Sequence, residues 1–372
     1  MIIKLYEDCI PVNGYKRSLI FDATRATFRT IPNSLYNFLI EFDKTSIDVI
    51  SKNFSDKENL IVDEYLMFLL ENEYIFEVDN ELLNQFPKIN LDWDYPSKIN
   101  NAIICFSPYK WKLRVTKIID LLDKLNCQDI QIRFCEKIDE IELFDLLDNF
   151  TDSKVNSMTL ILPYFKISKL FYNMLIKNQW IDQVVFFNAT EKIADEDLDY
   201  SSNQISYSTK SISELFILEN SNQFVIDLML FCESQLHHSY YNRKLFIDEF
   251  GQIKNAPESI EIFGNIDDIN DFNLILKNEA FQKYWKLTKD KCDVCKVCEF
   301  RYICVDNRLP IIRNDGSHYH QTECNYNPYI CKWFGENGYV NLAETGITCD
   351  EQGLTEDLNK IRQVNETLSK IE

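Results

Sequence analysis

The segment CDVCKVCEFRYIC, residues 292–304, places four cysteines within thirteen residues of a chain that has twelve in all. With two more that follow closely, these cysteines are Cys292, Cys295, Cys298, Cys304, Cys324 and Cys331. Packing does not explain this spacing, because a buried structural cysteine has no reason to recur every three residues. Thiolates two residues apart can turn back on one metal centre, as in zinc ribbons and iron–sulfur sites. We therefore expect a metal centre to organise this part of the fold.

The composition is that of a folded protein. With 372 residues, 45% of them hydrophobic, the chain is long enough for two or three domains with their own cores. No apolar run approaches the length of a membrane span, and residues 1–17, MIIKLYEDCIPVNGYKR, lack the order of a signal peptide. These features predict a cytoplasmic, reducing location, in which cysteines are bound to metal or free rather than paired.

The net charge of −20 limits the kinds of partner. An acidic surface repels nucleic acid and anionic membranes, so neither is expected as the main partner. A peptide or protein partner is compatible with this charge. The sequence leaves open whether the chain forms a homodimer.

Glycine is scarce, and its absence excludes two kinds of nucleotide site. The chain has eight glycines, and none lies between Gly14 and Gly251. Phosphate-binding and dinucleotide-binding turns need glycine so that the backbone can approach the ligand and adopt positive φ. Neither GxGxxG nor GxxxxGK[ST] can occur in that stretch, so we expect no nucleotide-hydrolysing or NAD-binding domain there.

Residues 1–95 combine short strands with short helices. The periodicity predicts strands over 2–10 and 19–31, helices around Phe38, over 47–54 and over 60–71, and a strand over 73–78. This order is typical of a winged-helix domain. DNA binding is not expected, because helix 60–71 carries mainly acidic charge. The domain is interpreted either as a structural cap or as a peptide-binding domain.

Residues 96–238 alternate strands and helices. The predicted strands are 102–106, 130–134, 158–162, 184–187 and 205–208, and the predicted helices are 115–125, 141–150, 168–178 and 220–236. A βαβα order predicts an α/β fold with a parallel sheet, either open or a partial barrel. Cys105 and Cys135 lie at strand ends, where such folds place their chemistry, but no ligand pattern accompanies them. They are interpreted as small hydrophobic residues.

Residues 239–345 have little regular pattern, apart from a hairpin predicted over 243–254. The tail, residues 346–372, is predicted to form a C-terminal helix. Its apolar residues at helical spacing are Leu354, Leu358, Ile361, Val364 and Leu368. We expect this helix to pack on its own chain.

The predicted metal ligands are Cys295, Cys298, Cys304 and Cys324, three local thiolates and one distant one. Four thiolates suit either one [4Fe–4S] cluster or zinc. Iron is favoured, because zinc ribbons usually pair two CxxC units and this chain lacks the second. His318 and His320 are predicted to be loop residues. Cys292 and Cys331 are alternates that could exchange into the site.

The run from Cys295 to Arg308, CKVCEFRYICVDNR, resembles the SPASM domain, the auxiliary-cluster module of many radical SAM peptide-modifying enzymes. The segment from Cys324 to Trp333, CNYNPYICKW, is similar to the SPASM-domain peptide maturases of grasp-with-spasm systems. In those graspetide systems, an ATP-grasp ligase crosslinks a ribosomal peptide. The resemblance implies a radical-SAM-like partial (β/α) barrel between an N-terminal winged helix and a C-terminal cysteine-rich SPASM domain.

The departures from this family imply that the barrel is degenerate. Radical SAM chemistry needs CxxxCxxC, but Tyr109 and Lys112 stand where the second and third cysteines would follow Cys105. A glycine-free barrel also lacks the Gly-Gly-Glu segment that holds SAM, so no SAM is expected. Ala256 and Arg308 occupy ligand positions of the first auxiliary cluster. The resemblance therefore implies one remaining cluster.

The resemblance implies a non-catalytic, pseudo-radical-SAM accessory protein that binds a precursor leader and assists an ATP-grasp peptide ligase. The leader is expected to add as a strand beside residues 26–31, with support from helix 60–71. The residues expected at this peptide site are Thr27, Phe28, Arg29, Thr30, Tyr65 and Phe68. Two alternatives stay open: an iron–sulfur redox enzyme acting on a peptide, and a winged-helix regulator that responds to iron or redox state.

Overall fold

A seven-stranded, mostly parallel sheet occupies the middle of the chain, as part of a mixed α/β fold. The structure is a computed structural model that describes residues 2–93, 95–190 and 204–370. The strands are β1 (Ile2–Leu5), β2 (Cys9–Val12), β3 (Arg17–Asp22), β4 (Thr27–Pro32), β5 (Thr45–Ser46), β6 (Ile75–Val78), β7 (Asn101–Phe106), β8 (Asp129–Phe134), β9 (Ser157–Pro163), β10 (Ile181–Phe187), β11 (Ile205–Tyr207), β12 (Lys244–Ile247), β13 (Ile253–Lys254), β14 (Pro310–Ile312), β15 (His318–His320), β16 (Tyr326–Asn327), β17 (Lys332–Trp333), β18 (Ile347–Asp350) and β19 (Gly353–Glu356). The α-helices are α1 (Asn33–Phe42), α2 (Ile47–Lys52), α3 (Asp56–Glu71), α4 (Val115–Leu125), α5 (Glu140–Asp148), α6 (Lys169–Lys177), α7 (Leu228–Leu236), α8 (Asn273–Leu276), α9 (Leu342–Thr345) and α10 (Leu358–Leu368).

The large sheet has the strand order β11-β10-β9-β8-β7-β12-β13. All neighbouring strands run parallel except β12 and β13, which form a hairpin. Because β7 to β10 are neighbours in sequence and in space, right-handed crossovers place α4, α5 and α6 on one side of the sheet. Among the described strands the sheet stays open, with β11 and β13 at its edges.

The strands and helices predicted for residues 96–238 are confirmed, except at the last helix. That helix is predicted over 220–236, whereas α7 begins at Leu228. The Asp227 side chain accepts hydrogen bonds from two backbone N–H groups of the first turn, which fixes the start of the helix. Within the described ranges, none of the helices combines the length and apolar character that crossing a bilayer requires.

The two faces of the large sheet differ in polarity. Alternate side chains of β7, β8 and β9 lie in the apolar core under the helices. On the opposite face Lys244 donates a hydrogen bond to Asn101, with 2.6 Å between Nζ and Oδ1. The Arg133 guanidinium there lies 4.0 Å from the ring centroid of Phe216. Burial lowers the pKa of Lys244 to about 8. This face of the sheet is therefore polar, but other side chains of the same chain cover it.

The N-terminal region has two small sheets and three helices. Strand β1 lies between β5 and β6, and β2, β3 and β4 form a separate antiparallel sheet. Each strand predicted over 2–10 and 19–31 is divided into two strands by a turn. In the second turn Ala26 adopts a φ of 49°, which a continuous strand does not allow.

The β2-β3-β4 sheet packs on both of its faces. One face contributes Cys9, Ile20 and Ile31 to a core shared with α1, α2 and α3. The other face packs on the cysteine-rich region, and the buried residues of this second core are Val12, Leu19, Phe21, Phe231, Phe300, Ile303, Tyr326 and Trp333. The N-terminal sheet therefore packs directly against the region that carries the predicted metal ligands.

The C-terminal third consists mainly of loops. Strands β14 to β17 have only two or three residues each. The helix predicted from residue 346 is shorter than expected: β18 and β19 form a hairpin first, and α10 begins at Leu358. Gly353, with a φ of 147°, lies at the turn of this hairpin, a conformation that a helix does not use. Residues 371 and 372 of the predicted tail lie outside the described residues.

The substitution Phe21→Ala tests the core shared by the N-terminal sheet and the cysteine-rich region. Phe21 is fully buried, and its ring stacks on that of Phe231 with 4.2 Å between centroids. Because truncation leaves a cavity, we expect a loss of about 3–5 kcal/mol in unfolding free energy and a clearly lower melting temperature by circular dichroism. Phe250→Ala, at a side chain that is 63% exposed, is the control and should change stability by less than about 0.5 kcal/mol. Equal melting of both variants would contradict the shared core.

Candidate metal centre

The four cysteines predicted as ligands converge on one cavity. Cys295, Cys298, Cys304 and Cys324 all line it. Cys295 begins a short 3-10 turn, Cys295–Val297, and Cys298 follows this turn directly. Cys324 comes from a later segment, just before β16. The structure thus brings the three local thiols and the distant one to the same place.

Three of the four sulfurs accept a hydrogen bond from the backbone N–H two residues further on. The pairs are Tyr326 to Cys324, with 3.4 Å between N and Sγ, Phe300 to Cys298, and Asp306 to Cys304. Such N–H groups orient each thiol and stabilise negative charge on sulfur. The repeated local geometry is what a thiolate ligand requires.

Two cations, the buried Lys289 and the partly buried Arg308, face the same sulfurs. Lys289 Nζ lies 3.5 Å from the Sγ of Cys304, and Arg308 Nη2 lies 3.9 Å from the Sγ of Cys295. Both cations also contact Asp306, at 3.9 Å for Lys289 and 2.7 Å for Arg308. Positive charge is therefore placed where ligated thiolates would carry negative charge.

The electrostatics of the cavity favour neutral thiols until a metal binds. Burial raises the pKa of all four thiols, most strongly that of Cys298. Burial alone would lower the pKa of Lys289, but the neighbouring Cys304 and the Asp306 carboxylate raise it, so the ammonium keeps its charge. Four thiolates in such an interior need a metal centre of high positive charge, and its binding releases their protons.

Zinc and iron–sulfur centres hold their thiolates at different spacings. Tetrahedral zinc with Zn–S bonds of about 2.3 Å holds its sulfurs about 3.8 Å apart. Among the residues that the structure describes, no three of the four sulfurs lie within 4.8 Å of one another. A polynuclear iron–sulfur centre separates its thiolates further, because each thiolate binds a different iron. The cysteine-rich cavity is therefore compatible with a metal cofactor.

His320 and Asp306 lie beside Cys295, and one ligand atom of each lies within 4.8 Å of the others. His320 is 8% exposed, and within the described chain neither ring nitrogen has a hydrogen-bond partner. Burial, together with the Arg308 guanidinium, lowers the pKa of His320 to about 3, so the ring is neutral. The prediction that His318 and His320 are loop residues is wrong, because they begin and end β15.

Sequence reasoning gave no role to Lys289 or Asp306. A charged residue two positions after a predicted ligand is the signal that could have found Asp306. Nothing in the sequence distinguishes Lys289 from the other lysines, since only the fold brings it to Cys304.

The two alternate cysteines lie outside the cavity, whose described lining includes neither of them. Cys292 is fully buried, and burial raises its pKa above that of an ordinary thiol. The Cys331 thiol donates a hydrogen bond to the Pro328 carbonyl at 3.7 Å. Both can reach the site only if the surrounding loops move.

The residues predicted to bind a peptide lie on two neighbouring elements. Thr27, Phe28, Arg29 and Thr30 belong to β4, and Tyr65 and Phe68 belong to α3. The Arg29 guanidinium lies 5.8 Å from the ring centroid of Phe68, so the two elements are in contact. Alternation along β4 places Phe28 on the opposite side, where it packs edge-on against Phe300. Thr30 lies on the same side as Phe28.

No protein-family model matches the chain. No curated protein matches its sequence at a significant level either. The interpretation of the cavity therefore depends on its geometry and on the spacing of its ligands.

The substitution Cys298→Ser removes one thiol from the cavity. Because a [4Fe–4S] cluster is held by four thiolates, we expect iron to fall from about four atoms per chain to nearly none, with an equal loss of sulfide. Iron, sulfide and zinc content of anaerobically purified protein, with its visible spectrum, measures this. Cys135→Ser, at an exposed thiol, is the matched control and should keep its metal. One zinc per chain in place of iron would contradict the cluster, and unchanged metal in Cys298→Ser would contradict the ligand set.

The substitution Lys289→Met tests the buried cation beside Cys304. Without it, the thiolate loses a charge-assisted hydrogen bond of about 1.5–3 kcal/mol, so bound iron should be lost roughly tenfold faster to a chelator. Lys291→Met, at an exposed neighbouring lysine, should lose iron at the rate of the unmodified protein. Equal rates for the two variants would show that Lys289 does not stabilise the centre.

Proposed function

We infer that the protein is a non-catalytic accessory protein of ribosomal peptide maturation, similar to a radical SAM enzyme without its SAM cluster. Its N-terminal, winged-helix-like region binds the leader of a precursor peptide, and the protein assists an ATP-grasp peptide ligase. One [4Fe–4S] cluster holds the SPASM-like cysteine-rich region together. The observation that carries the proposal is the β2-β3-β4 sheet, which presents an edge strand beside α3 and packs its other face on the four-thiol cavity.

The edge strand supports peptide binding by strand addition. Strand β4 pairs with β3 on one side, and no described strand pairs with its outer side. An extended peptide can add to such an edge through main-chain hydrogen bonds. On α3, Ile61, Tyr65 and Phe68 follow each other at helical spacing and supply an apolar wall, with Ile61 50% exposed. Main-chain hydrogen bonds to β4 would give affinity for the peptide backbone. Contacts with the apolar side chains of α3 would give selectivity for the peptide's side chains.

The loop-rich sequence around the cysteines supports a structural role for the cluster. Strands of two or three residues contribute few main-chain hydrogen bonds. Metal binding supplies folding free energy to segments of this kind. When bound at the four thiols, the cluster would supply ligand bonds that link residues 295–304 to residue 324.

The end of the first parallel strand supports the absence of radical SAM chemistry. Cys105 lies there, and burial raises its pKa to about 12. Tyr109 is 85% exposed, and Lys112 forms an ion pair with Glu142 at 3.0 Å. Neither side chain can replace the thiolates that bind a SAM-chelating cluster.

A second candidate, an iron–sulfur redox enzyme acting on a peptide, is favoured by one observation. A cavity of about 250 Å³ adjoins the four-thiol cavity, and Cys295, Cys324, Cys349 and His320 all line it. A small substrate could therefore reach one edge of a bound cluster. Cycling of the cluster between redox states together with a changed peptide mass would support this candidate.

Binding of a fluorescent synthetic leader peptide tests the first proposal. The double substitution Tyr65→Ala and Phe68→Ala removes the apolar wall and should weaken binding at least about tenfold, measured by fluorescence anisotropy. Met67→Ala changes an exposed residue on another side of α3 and should bind like the unmodified protein. Melting temperatures of all variants show whether the fold is retained.

Capture of the precursor peptide and the ATP-grasp ligase by the purified protein extends the test. Binding to both is expected. Binding to neither would overturn the proposed function, whereas binding to DNA at low salt would favour the winged-helix regulator.

A further inference from the structure

We propose that two binding events are thermodynamically coupled: leader binding at the outer edge of β4, called the peptide edge, and cluster binding at the metal centre. Cluster occupancy strengthens leader binding, and leader binding slows loss of the cluster. Arg17 of β3 links the two. This inference rests on the proposed function and adds the regulation of its peptide site. It is carried by the contacts between the N-terminal sheet and the segments that hold the sulfurs.

Arg17, whose side chain is partly exposed, forms a polar triad with two buried residues of the cysteine-rich region. Its Nε donates to Glu299 Oε1 at 2.6 Å, and its Nη2 donates to the Tyr326 hydroxyl at 3.2 Å. The Tyr326 hydroxyl in turn donates to Glu299 Oε1 at 2.5 Å. The Glu299 side chain is fully buried, so its charge depends on these donors.

The same triad lies beside two of the predicted ligands. Glu299 is the residue between Cys298 and Phe300, and the Phe300 N–H donates to the Cys298 sulfur. The Tyr326 N–H donates to the Cys324 sulfur. Arg17 therefore contacts Tyr326, whose N–H donates to the Cys324 sulfur, and Glu299, which directly follows Cys298, so it acts as a positioning residue.

Arg17 also lies on the strand that holds the peptide edge. Strand β3 pairs with β4 over six residues, from Arg17 opposite Pro32 to Asp22 opposite Thr27. A displacement of Arg17 therefore displaces β4 as well, because main-chain hydrogen bonds join the two strands along their full length.

Hydrogen bonds and one close contact join the loop before β3 to the cysteine-rich region. The Tyr15 N–H donates to the Val297 carbonyl at 2.8 Å, and Arg301 donates to the Asn13 carbonyl. A Cβ atom at Gly14 would clash first with the Arg17 carbonyl oxygen at the start of β3 and would also lie 2.9 Å from the Cβ of Glu299, so a larger residue does not fit here. The single glycine of the first 250 residues is thus placed at the contact between sheet and cysteine segment.

Metal binding orders the segments that contain Glu299 and Tyr326, and these segments hold Arg17. Loss of the cluster should therefore loosen the partners of Arg17 and displace the β3–β4 pair. Coupling between two sites is reciprocal, so a leader bound to β4 must retain the cluster by the same factor. Typical coupling factors are about 5–150-fold.

The experiment titrates a fluorescent synthetic leader peptide against the full chain, both loaded with its cluster and after removal of iron by a chelator. We expect at least about fivefold weaker binding by the cluster-free protein. Arg17→Met, loaded with cluster, should bind the leader as weakly as the cluster-free protein does. Arg114→Met is the matched control, because its ion pair with Asp267 lies on the large sheet's helical side; it should bind like the unmodified protein.

A second measurement uses no substitution. The rate of iron loss to the chelator is measured with and without saturating leader, and the leader should slow it by about the same factor. Equal leader affinity of loaded and cluster-free protein, or an unchanged rate of iron loss, would overturn the coupling while the proposed function stands. Absence of leader binding by the loaded protein would overturn the proposed function itself.

Discussion

The convergence of four thiols on one cavity is the constraint on which the C-terminal third depends. Residues 292–333 contain only strands of two or three residues, so hydrogen bonding between strands contributes little to their order. Backbone N–H groups and the cations Lys289 and Arg308 lie where they would stabilise negative charge on the sulfurs. Burial has the opposite effect and favours the neutral thiols. Without a metal, the buried thiols stay protonated, because burial disfavours the charged thiolates. Binding of a metal cation favours the thiolates, so the thiols then lose their protons.

The N-terminal sheet shares this constraint, because one of its faces completes the core around the cysteines. The β2-β3-β4 sheet thus lies between the core formed with α1, α2 and α3 and the region that contains the four thiols. The ion pair of Arg17 with the buried Glu299 and the close approach of Gly14 to Glu299 join this sheet to the cysteine-rich region.

Both faces of the large parallel sheet are covered by other parts of the same chain. Its helices lie on one side, and its polar opposite face is covered by residues of the same chain, including Phe216 over Arg133. Cys105 lies at the end of β7, and its pKa is raised mainly by burial, with a smaller contribution from the neighbouring Cys135. The large sheet is thus a packed core of the chain, with helices on one face and covering side chains on the other.

The sequence by itself determined the elements that depend on local pattern. Periodicity predicted the alternating strands and helices of residues 96–238, because buried strands and amphipathic helices have distinct spacing along the chain. Ligand spacing predicted Cys295, Cys298, Cys304 and Cys324, which do share one cavity. The tertiary structure alone decided the rest. Arg17 and Glu299 are 282 residues apart, and no local pattern relates them. The places of Lys289, Asp306 and His320 around the cavity depend likewise on contacts between distant segments, which a one-dimensional pattern does not contain.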